Sequence, residues 1–367
     1  MPYIHEDSDW PNFKWDERLL APLLVEIRHR QGRLLGHMEA LGFHLRDEAH
    51  LATLTVDIVK SSAIEGESMD AQEVRSSLAR KLGMEVGGAL PASRHVEGVV
   101  EMMLNATQKY GEPLTRERLF AWHAALFPTG YSGMRKITVG AWRTMEAGPM
   151  QVVSGGIGRE KVHFEAPAAL KLDDEVNAFL QWFNALPSID PVLKAALAHF
   201  WFVTIHPFED GNGRIARAIA DMALARADGT ATRFYSMSAQ IEAERKKYYQ
   251  ILESSQKGSL EITLWMKWFL ECLGRALERA HTTLAGVLRK ARVWDKINIS
   301  AINDRQRLVI NRLLDGFEGN LTSSKYAQLA HCSADTALRD IRELLDRGTL
   351  SQNPSRGRST SYRLFDP

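Results

Sequence analysis

From Leu193 to Ile205 the chain reads LKAALAHFWFVTI, apolar on nearly every face of a helix. Such a segment has no side to give to water, so it must run through the middle of a domain with other elements packed around it. It stops at His206-Pro-Phe-Glu-Asp-Gly-Asn-Gly-Arg-Ile-Ala-Arg217, which holds an imidazole, two carboxylates, a two-glycine turn and two arginines. Beyond it Ile215, Ile219, Met222 and Ala223 recur at helical spacing. The pattern predicts a helix–loop–helix turn, with Gly213 ending the loop where the second helix begins. Arg214 and Arg217 then fall in the first turn, three residues apart on one face. Helix N-termini carry partial positive charge and unpaired N–H groups, so cations are disfavoured there. An anion between the two arginines resolves the conflict, and phosphate suits it.

Gly211 to Ala216 also matches G-x-G-x-x-A, the dinucleotide fingerprint. That fingerprint needs a preceding strand in a βαβ unit, and the segment before this loop reads as helix. A Walker A loop needs Gly-Lys-Ser/Thr, which is missing. A plain capped turn with solvated charges and a core histidine is the remaining alternative. It leaves the concentration of these residue types unexplained.

The segment resembles the motif of the Fic (Fido) family, H-P-F-x-[DE]-G-N-G-R-x-x-R, and every fixed position is matched. The resemblance implies transfer of AMP from ATP to a hydroxyl side chain of a target protein, the chain itself included. It casts His206 as the general base and Asp210 as the Mg²⁺ ligand. The backbone and side chain of Gly211, Asn212 and Gly213 become an anion hole, and Arg214 and Arg217 the partners of the β- and γ-phosphates. The chemistry of the residues agrees. Imidazole can take a hydroxyl proton near neutrality, and attack on phosphorus needs its equatorial charge stabilised by N–H groups, a metal and arginine. One carboxylate is reasonable for Mg²⁺, which usually keeps waters and draws other ligands from phosphates. Pro207 restricts the backbone beside the base, and Phe208 is expected to anchor the loop. Glu209 holds the variable position and is left out of the site.

Leu51 to Ile64 has helical pattern and ends in Glu65-Gly66, with Gly66 a candidate helix stop. Glu65 then lies at a helix C-terminus, which disfavours negative charge, and so needs a cation. Ser61 to Gly66 resembles the family's inhibitory motif, [ST]-x-x-x-E-[GN]. That resemblance implies that Glu65, supported by Ser61, pairs with Arg217 and blocks the γ-phosphate. It also implies a homodimer, and an adenine pocket lined by aromatics such as Tyr248 and Tyr249, a core role being open for either. Met150–Ser154 and Lys161–Phe164, around Gly155-Gly-Ile-Gly158, read as a hairpin. In the family a flap here presents the target by adding a strand to it.

The expected fold is mainly α: an all-helical Fic core with a short β-hairpin flap, plus a small C-terminal winged-helix (α+β) domain. The expected division is residues 1–90 as an N-terminal module with the inhibitory motif, 91–290 as the catalytic domain and 300–367 as the winged helix-turn-helix. The last rests on three short helical segments followed by a hairpin with a basic tip. Asp335, Thr336, Arg339 and Arg342 line its candidate recognition face, with Arg356 and Arg358 in the wing. Acidic Asp335, Asp340, Glu343 and Asp346 weaken the case for DNA, and protein contact is the alternative.

A net charge of +1 gives no global field toward nucleic acid or membrane. The apolar stretches fall short of a membrane span, residues 1–20 do not read as a signal peptide, and Cys272 and Cys332 read as separate thiols. These features point to the cytoplasm. A nucleotide-sensing DNA-binding regulator is the competing function, and another phosphate-bearing donor or AMP removal is the competing chemistry.

Overall fold

The computed structural model describes residues 2–39, 43–84, 90–155, 161–186, 188–297, 302–314, 317, 319–354 and 360–365. Its helices are α1 (Glu17–Glu39), α2 (Phe43–Ile64), α3 (Ala71–Lys81), α4 (Arg94–Gln108), α5 (Arg116–Leu126), α6 (Leu172–Asn184) and α7 (Pro191–Ile205). After these come α8 (Asn212–Asp228), α9 (Met237–Ala243), α10 (Arg245–Ser255), α11 (Thr263–Lys296), α12 (Asp304–Leu314), α13 (Ser323–Leu329) and α14 (Ala334–Asp346). Three antiparallel two-stranded pairs complete it: β1 (Tyr131–Ser132) with β2 (Arg135–Lys136), β3 (Gln151–Ser154) with β4 (Lys161–Glu165), and β5 (Leu350–Gln352) with β6 (Tyr362–Leu364). The fold is mainly α, as expected. Residues 1–42 and 50–280 form one compact unit, and residues 43–49 and 281–367 a second.

In the first unit α7 is the axis. Asp190 caps it by accepting from the Val192 N–H at 2.7 Å, and Pro191 opens it where no donor is needed. Every side chain from Val192 to Ile205 is buried. Its polar members are satisfied locally: Lys194 donates to the Ala185 carbonyl at 2.7 Å, and Thr204 to that of Phe200 at 2.7 Å. Helix α8 packs against it, with Ile215, Ile219 and Met222 fully buried. Trp265, Trp268 and Phe269 of α11 are core residues, and the Trp265 indole donates to the Ala196 carbonyl at 2.8 Å. The N-terminal helices join the same core. Arg28 pairs with Asp190 at 2.9 Å, and Gln31 donates to Asp228 at 2.8 Å.

The second unit has its own core, formed by Val309, Ile310, Leu321, Tyr326, Ala337, Ile341, Leu344 and Leu350. Three helices followed by the β5–β6 pair stand in the expected order. Arg339 and Arg342 are exposed on α14. Asp340 corrects the sequence reading: its carboxylate is buried and paired with Arg305 at 3.0 Å, so it takes nothing from the surface charge. Arg356 and Arg358 lie outside the described residues. Among the described residues no helix is long and apolar enough to cross a membrane.

Gly98 of α4 lies directly against the Ala125 carbonyl of α5, leaving no room for a Cβ. Gly98→Val should separate the two helices and cost about 2–3 kcal/mol, seen as a lower melting temperature with helix content retained. His123 and His199 are fully buried, and burial pushes their pKa values down to about 4 and about 3. The unfolded chain binds these protons near pH 6.5, so between there and pH 4 it holds more protons than the folded one. Stability should therefore fall as pH drops through that window. Melting curves should show it, with a shallower fall for His199→Gln.

Candidate active site

Where α7 ends, His206 takes up left-handed backbone geometry with φ 51°, which turns the chain out of the helix. Its Nδ1 lies 3.1 Å from the Val203 carbonyl oxygen. A carbonyl only accepts, so this contact assigns the proton to Nδ1 and leaves the Nε2 lone pair available. Burial lowers the pKa of the ring to about 4, so it is neutral at pH 7.

The loop after it is held from several sides. Phe208 is fully buried and stacks on His123, with centroids 4.2 Å apart and 7° between planes. Asn212 closes the turn: its Oδ1 accepts from the Phe208 N–H at 2.9 Å, and its Nδ2 donates to the Phe208 carbonyl at 2.8 Å. The Asn212 side chain thus faces the loop interior, unlike the anion-hole expectation for it. What the turn offers an anion is the backbone N–H groups at the start of α8. Gly211 has φ 79°, and a Cβ there would lie 2.9 Å from the Phe127 ring.

Several contributors were not visible in the sequence. Arg143, in a loop without periodicity, is buried and charged, its pKa lowered by burial to about 10. It donates to the His206 carbonyl at 2.8 Å through Nε and to the Pro167 carbonyl at 2.5 Å through Nη2. Its own N–H donates to the Pro207 carbonyl at 2.9 Å. One arginine thereby ties the loop to the chain leaving β4. The Ser132 hydroxyl donates to Asp210, whose other oxygen accepts from the Gly211 N–H at 2.5 Å. Glu209 pairs with Arg135 at 3.2 Å and accepts from the Thr138 N–H at 3.2 Å. The motif's variable position therefore fastens the β1–β2 hairpin to the loop.

Helix α8 starts at Asn212, one residue earlier than expected, so Arg214 lies in its first turn and Arg217 in the second. Both guanidiniums are buried, with 1% and 2% of their side chains exposed. Arg217 Nη2 lies 2.8 Å from Glu65 Oε1, and its Nε and Nη2 also donate to the hydroxyl and carbonyl of Ser61 at 2.9 and 2.8 Å. Burial opposes the Arg217 charge most strongly, but Glu65 together with Tyr248 and Tyr249 outweighs it, so its pKa is raised. The Glu65 carboxylate lies against Gly213, where a Cβ would collide with it. Arg214 stacks 5.0 Å from the Phe127 ring centroid and pairs with Glu67 at 2.6 Å, a carboxylate the sequence reading passed over. Arg214 Nε and Arg217 Nη1 are buried with no hydrogen-bond partner among the described residues.

The two tyrosines differ. Tyr248 is buried, its hydroxyl 3.0 Å from His199 Nε2. Tyr249 presents surface and donates to the Ile64 carbonyl at 3.4 Å. The β3–β4 hairpin forms as expected, with a register shift between Val152 and Val153; residues 156–160 of its turn lie outside the described residues. His163 of β4 reaches Glu253 of α10 at 2.7 Å. Among the described residues no three or more His, Cys, Asp or Glu side chains gather as a metal cage. Asp210, partly open to solvent, is the carboxylate in this loop able to share a cation with phosphates.

Comparison with known proteins agrees with this geometry. Residues 3–84 match a domain of unknown function (DUF4172), and residues 113–224 match the Fic/DOC family. The protein adenylyltransferase Fic of Culex quinquefasciatus is 29% identical over 226 residues, which is 60% of this chain and 40% of that protein. The protein of the same name from Aedes aegypti is 25% identical over 273 residues, 68% of this chain and 50% of that one. The chain thus spans about half the length of these curated relatives or less. A crystal structure of a Fic family protein from Desulfovibrio desulfuricans G20 superposes with TM-score 0.54 at 20% identity, covering 94% of this chain and 97% of that one. A Fic domain containing signaling protein from Bacteroides thetaiotaomicron gives TM-score 0.52 at 22% identity, covering 71% and 98%. These two neighbours share the fold. The stretch that matches the Fic/DOC family, residues 113–224, contains the whole loop from His206 to Arg217.

Proposed function

We propose that this chain is a protein adenylyltransferase that moves AMP from ATP to a hydroxyl side chain of a target protein and is held at rest by Glu65. The observation that carries the reading is the pair of buried arginines at the start of α8. Each has a donor to spare, and each is neutralised by a carboxylate from one short segment. Such a place is built for a polyphosphate and occupied by the protein's own acids. The names of the curated relatives point the same way.

In this reading His206 Nε2 takes the proton of a target Ser, Thr or Tyr hydroxyl. The hydroxyl oxygen bonds to the α-phosphorus of ATP, and the bond between the α- and β-phosphates breaks to release pyrophosphate. The N–H groups opening α8 and the two guanidiniums meet the charge that develops on phosphate oxygens. Asp210 would hold Mg²⁺, which when bound shields the charge of the phosphates. Glu65 on Arg217 keeps the γ-phosphate from its place. Tyr249 is the better placed of the two tyrosines to meet adenine. The β3–β4 hairpin offers an edge to an extended target segment, and a second copy of the chain is one candidate target.

We assign residues 1–90 to the restraining module, 91–290 to catalysis and 300–367 to a winged-helix domain. Exposed Arg339 and Arg342, with Asp340 withdrawn into the core, favour phosphate contact by that last part. A regulator that senses nucleotide and binds DNA is the second reading.

Incubating the purified protein with Mg·ATP and a candidate target, and weighing both intact, tests the first reading. Glu65→Gly should raise AMP transfer at least tenfold, about 1.4 kcal/mol of barrier, and adding His206→Ala should abolish it. No AMP on any protein with Glu65→Gly would overturn it. Because the His206 pKa is held near 4, kcat/KM of Glu65→Gly should be flat from pH 8 to 6. A loss centred near pH 6.5 would show a base of ordinary basicity.

A further inference from the structure

We propose that Glu67 is a second restraint on the phosphate site, independent of Glu65: its carboxylate occupies the position at Arg214 that a β-phosphate of the nucleotide must take. This inference rests on the adenylyltransferase reading for the identity of the ligand, and on geometry alone for the claim that a phosphate and Glu67 compete.

The two acids reach the two arginines through the way α2 ends. The Gly66 N–H donates to the Ala63 carbonyl at 3.0 Å and the Glu67 N–H to that of Ser62 at 3.1 Å, with Gly66 at φ 84°. This is the Schellman pattern, in which a left-handed glycine reverses the chain after the last turn. Residues two apart in a continuing helix would point nearly opposite ways. Here the reversal brings Glu65 and Glu67 onto the same helix start, one on each arginine. Glu67 is steadied from behind by His95 of α4, whose Nε2 lies 3.4 Å from the same Oε2 that meets Arg214.

Arg214 is the more enclosed partner, with 1% of its side chain exposed against 37% for Glu67. A carboxylate that remains partly in water can leave, whereas the guanidinium cannot follow it. Arg214 Nε, buried and without a partner among the described residues, is a further donor beside the one Glu67 engages. An incoming phosphate can therefore replace Glu67 and satisfy more donors than Glu67 does. Removing Glu65 alone frees Arg217 but leaves Arg214 engaged. Full release needs both carboxylates to move. The restraint thus extends one residue beyond the stretch from Ser61 to Gly66, because Gly66 turns the chain so that Glu67 meets Arg214.

The test uses the full chain as wild type, Glu65→Gly, Glu67→Gln and the double variant. Binding of Mg·ATP and of inorganic pyrophosphate is measured by calorimetry, and AMP transfer by intact mass. Glu67→Gln should tighten both ligands by about tenfold, the scale of one charge-assisted hydrogen bond, while transfer stays low because Glu65 still holds Arg217. The double variant should bind tighter and transfer faster than Glu65→Gly. If Glu67→Gln binds pyrophosphate no tighter than wild type, and the double variant matches Glu65→Gly, the second restraint is refuted while the adenylyltransferase reading stands. If pyrophosphate tightens but no variant transfers AMP, the restraint holds and the activity reading fails. Glu67→Gln leaves the buried Arg214 guanidinium with Asp210, 4.0 Å away, as its remaining counter-charge among the described residues, and can lose stability. Glu67→Asp, which keeps the charge but shortens the reach, then serves in its place. Its melting temperature should rise more with pyrophosphate than that of wild type, and an equal rise would refute the proposal.

Discussion

Two guanidiniums buried at the start of one helix must each meet an anion, and much of the surrounding structure answers to that need. An uncompensated buried charge costs several kcal/mol, and the helix N-terminus adds repulsion. Ser61, Glu65 and Glu67 supply the compensation from a single helix end. Gly66 exists there because the chain must reverse to deliver the second acid, and Gly213 because the first acid lies on its Cα. The acids come from the stretch that matches a domain of unknown function and the arginines from the Fic/DOC stretch. The N-terminal stretch thus has a physical role in this chain: it carries the counter-charges of the other.

That role depends on α2 being held in place. Asp57 accepts from the Ser236 hydroxyl and from the Ser238 N–H at 3.2 Å, and Lys60 reaches Glu242 at 3.4 Å. On the other side, the loop after α7 is fixed by Arg143, Ser132, Glu209 and the His123–Phe208 stack. Groups aimed at developing charge work best when they need not reorganise during reaction. The density of backbone contacts around His206 and Asp210 is the form that rigidity takes here.

Much of this was legible in the chain. The all-round apolar run at Leu193–Ile205 required a buried helix, and the polar cluster after it required a helix–loop–helix turn. The glycine after Glu65 marked a helix end, and two short stretches on either side of the glycines at 155–158 marked a hairpin. Each of these is a local signal, read from neighbours a few residues apart. Arg143, Ser132 and His123 gave no such signal, since each meets the loop after α7 from a segment far earlier in the chain. Glu67 stood two residues from the acid that was noticed, but its partner lies 147 positions away. Asp340 read as surface charge because composition does not show that Arg305 is its partner.

By itself, the sequence determined the buried helix before His206, the helix that follows the loop, the helix end at Gly66 and the chemical inventory of the loop from His206 to Arg217. These follow from side-chain periodicity, φ preferences and residue type, which act over one or two turns of chain. Only the tertiary structure decided that Glu67 meets Arg214, which nitrogen of His206 is left free, and that Asn212 braces its own loop. Those depend on burial and on distances between segments far apart in sequence. Desolvation makes an unpaired charge too costly to leave, and the fold alone determines which partner is within reach.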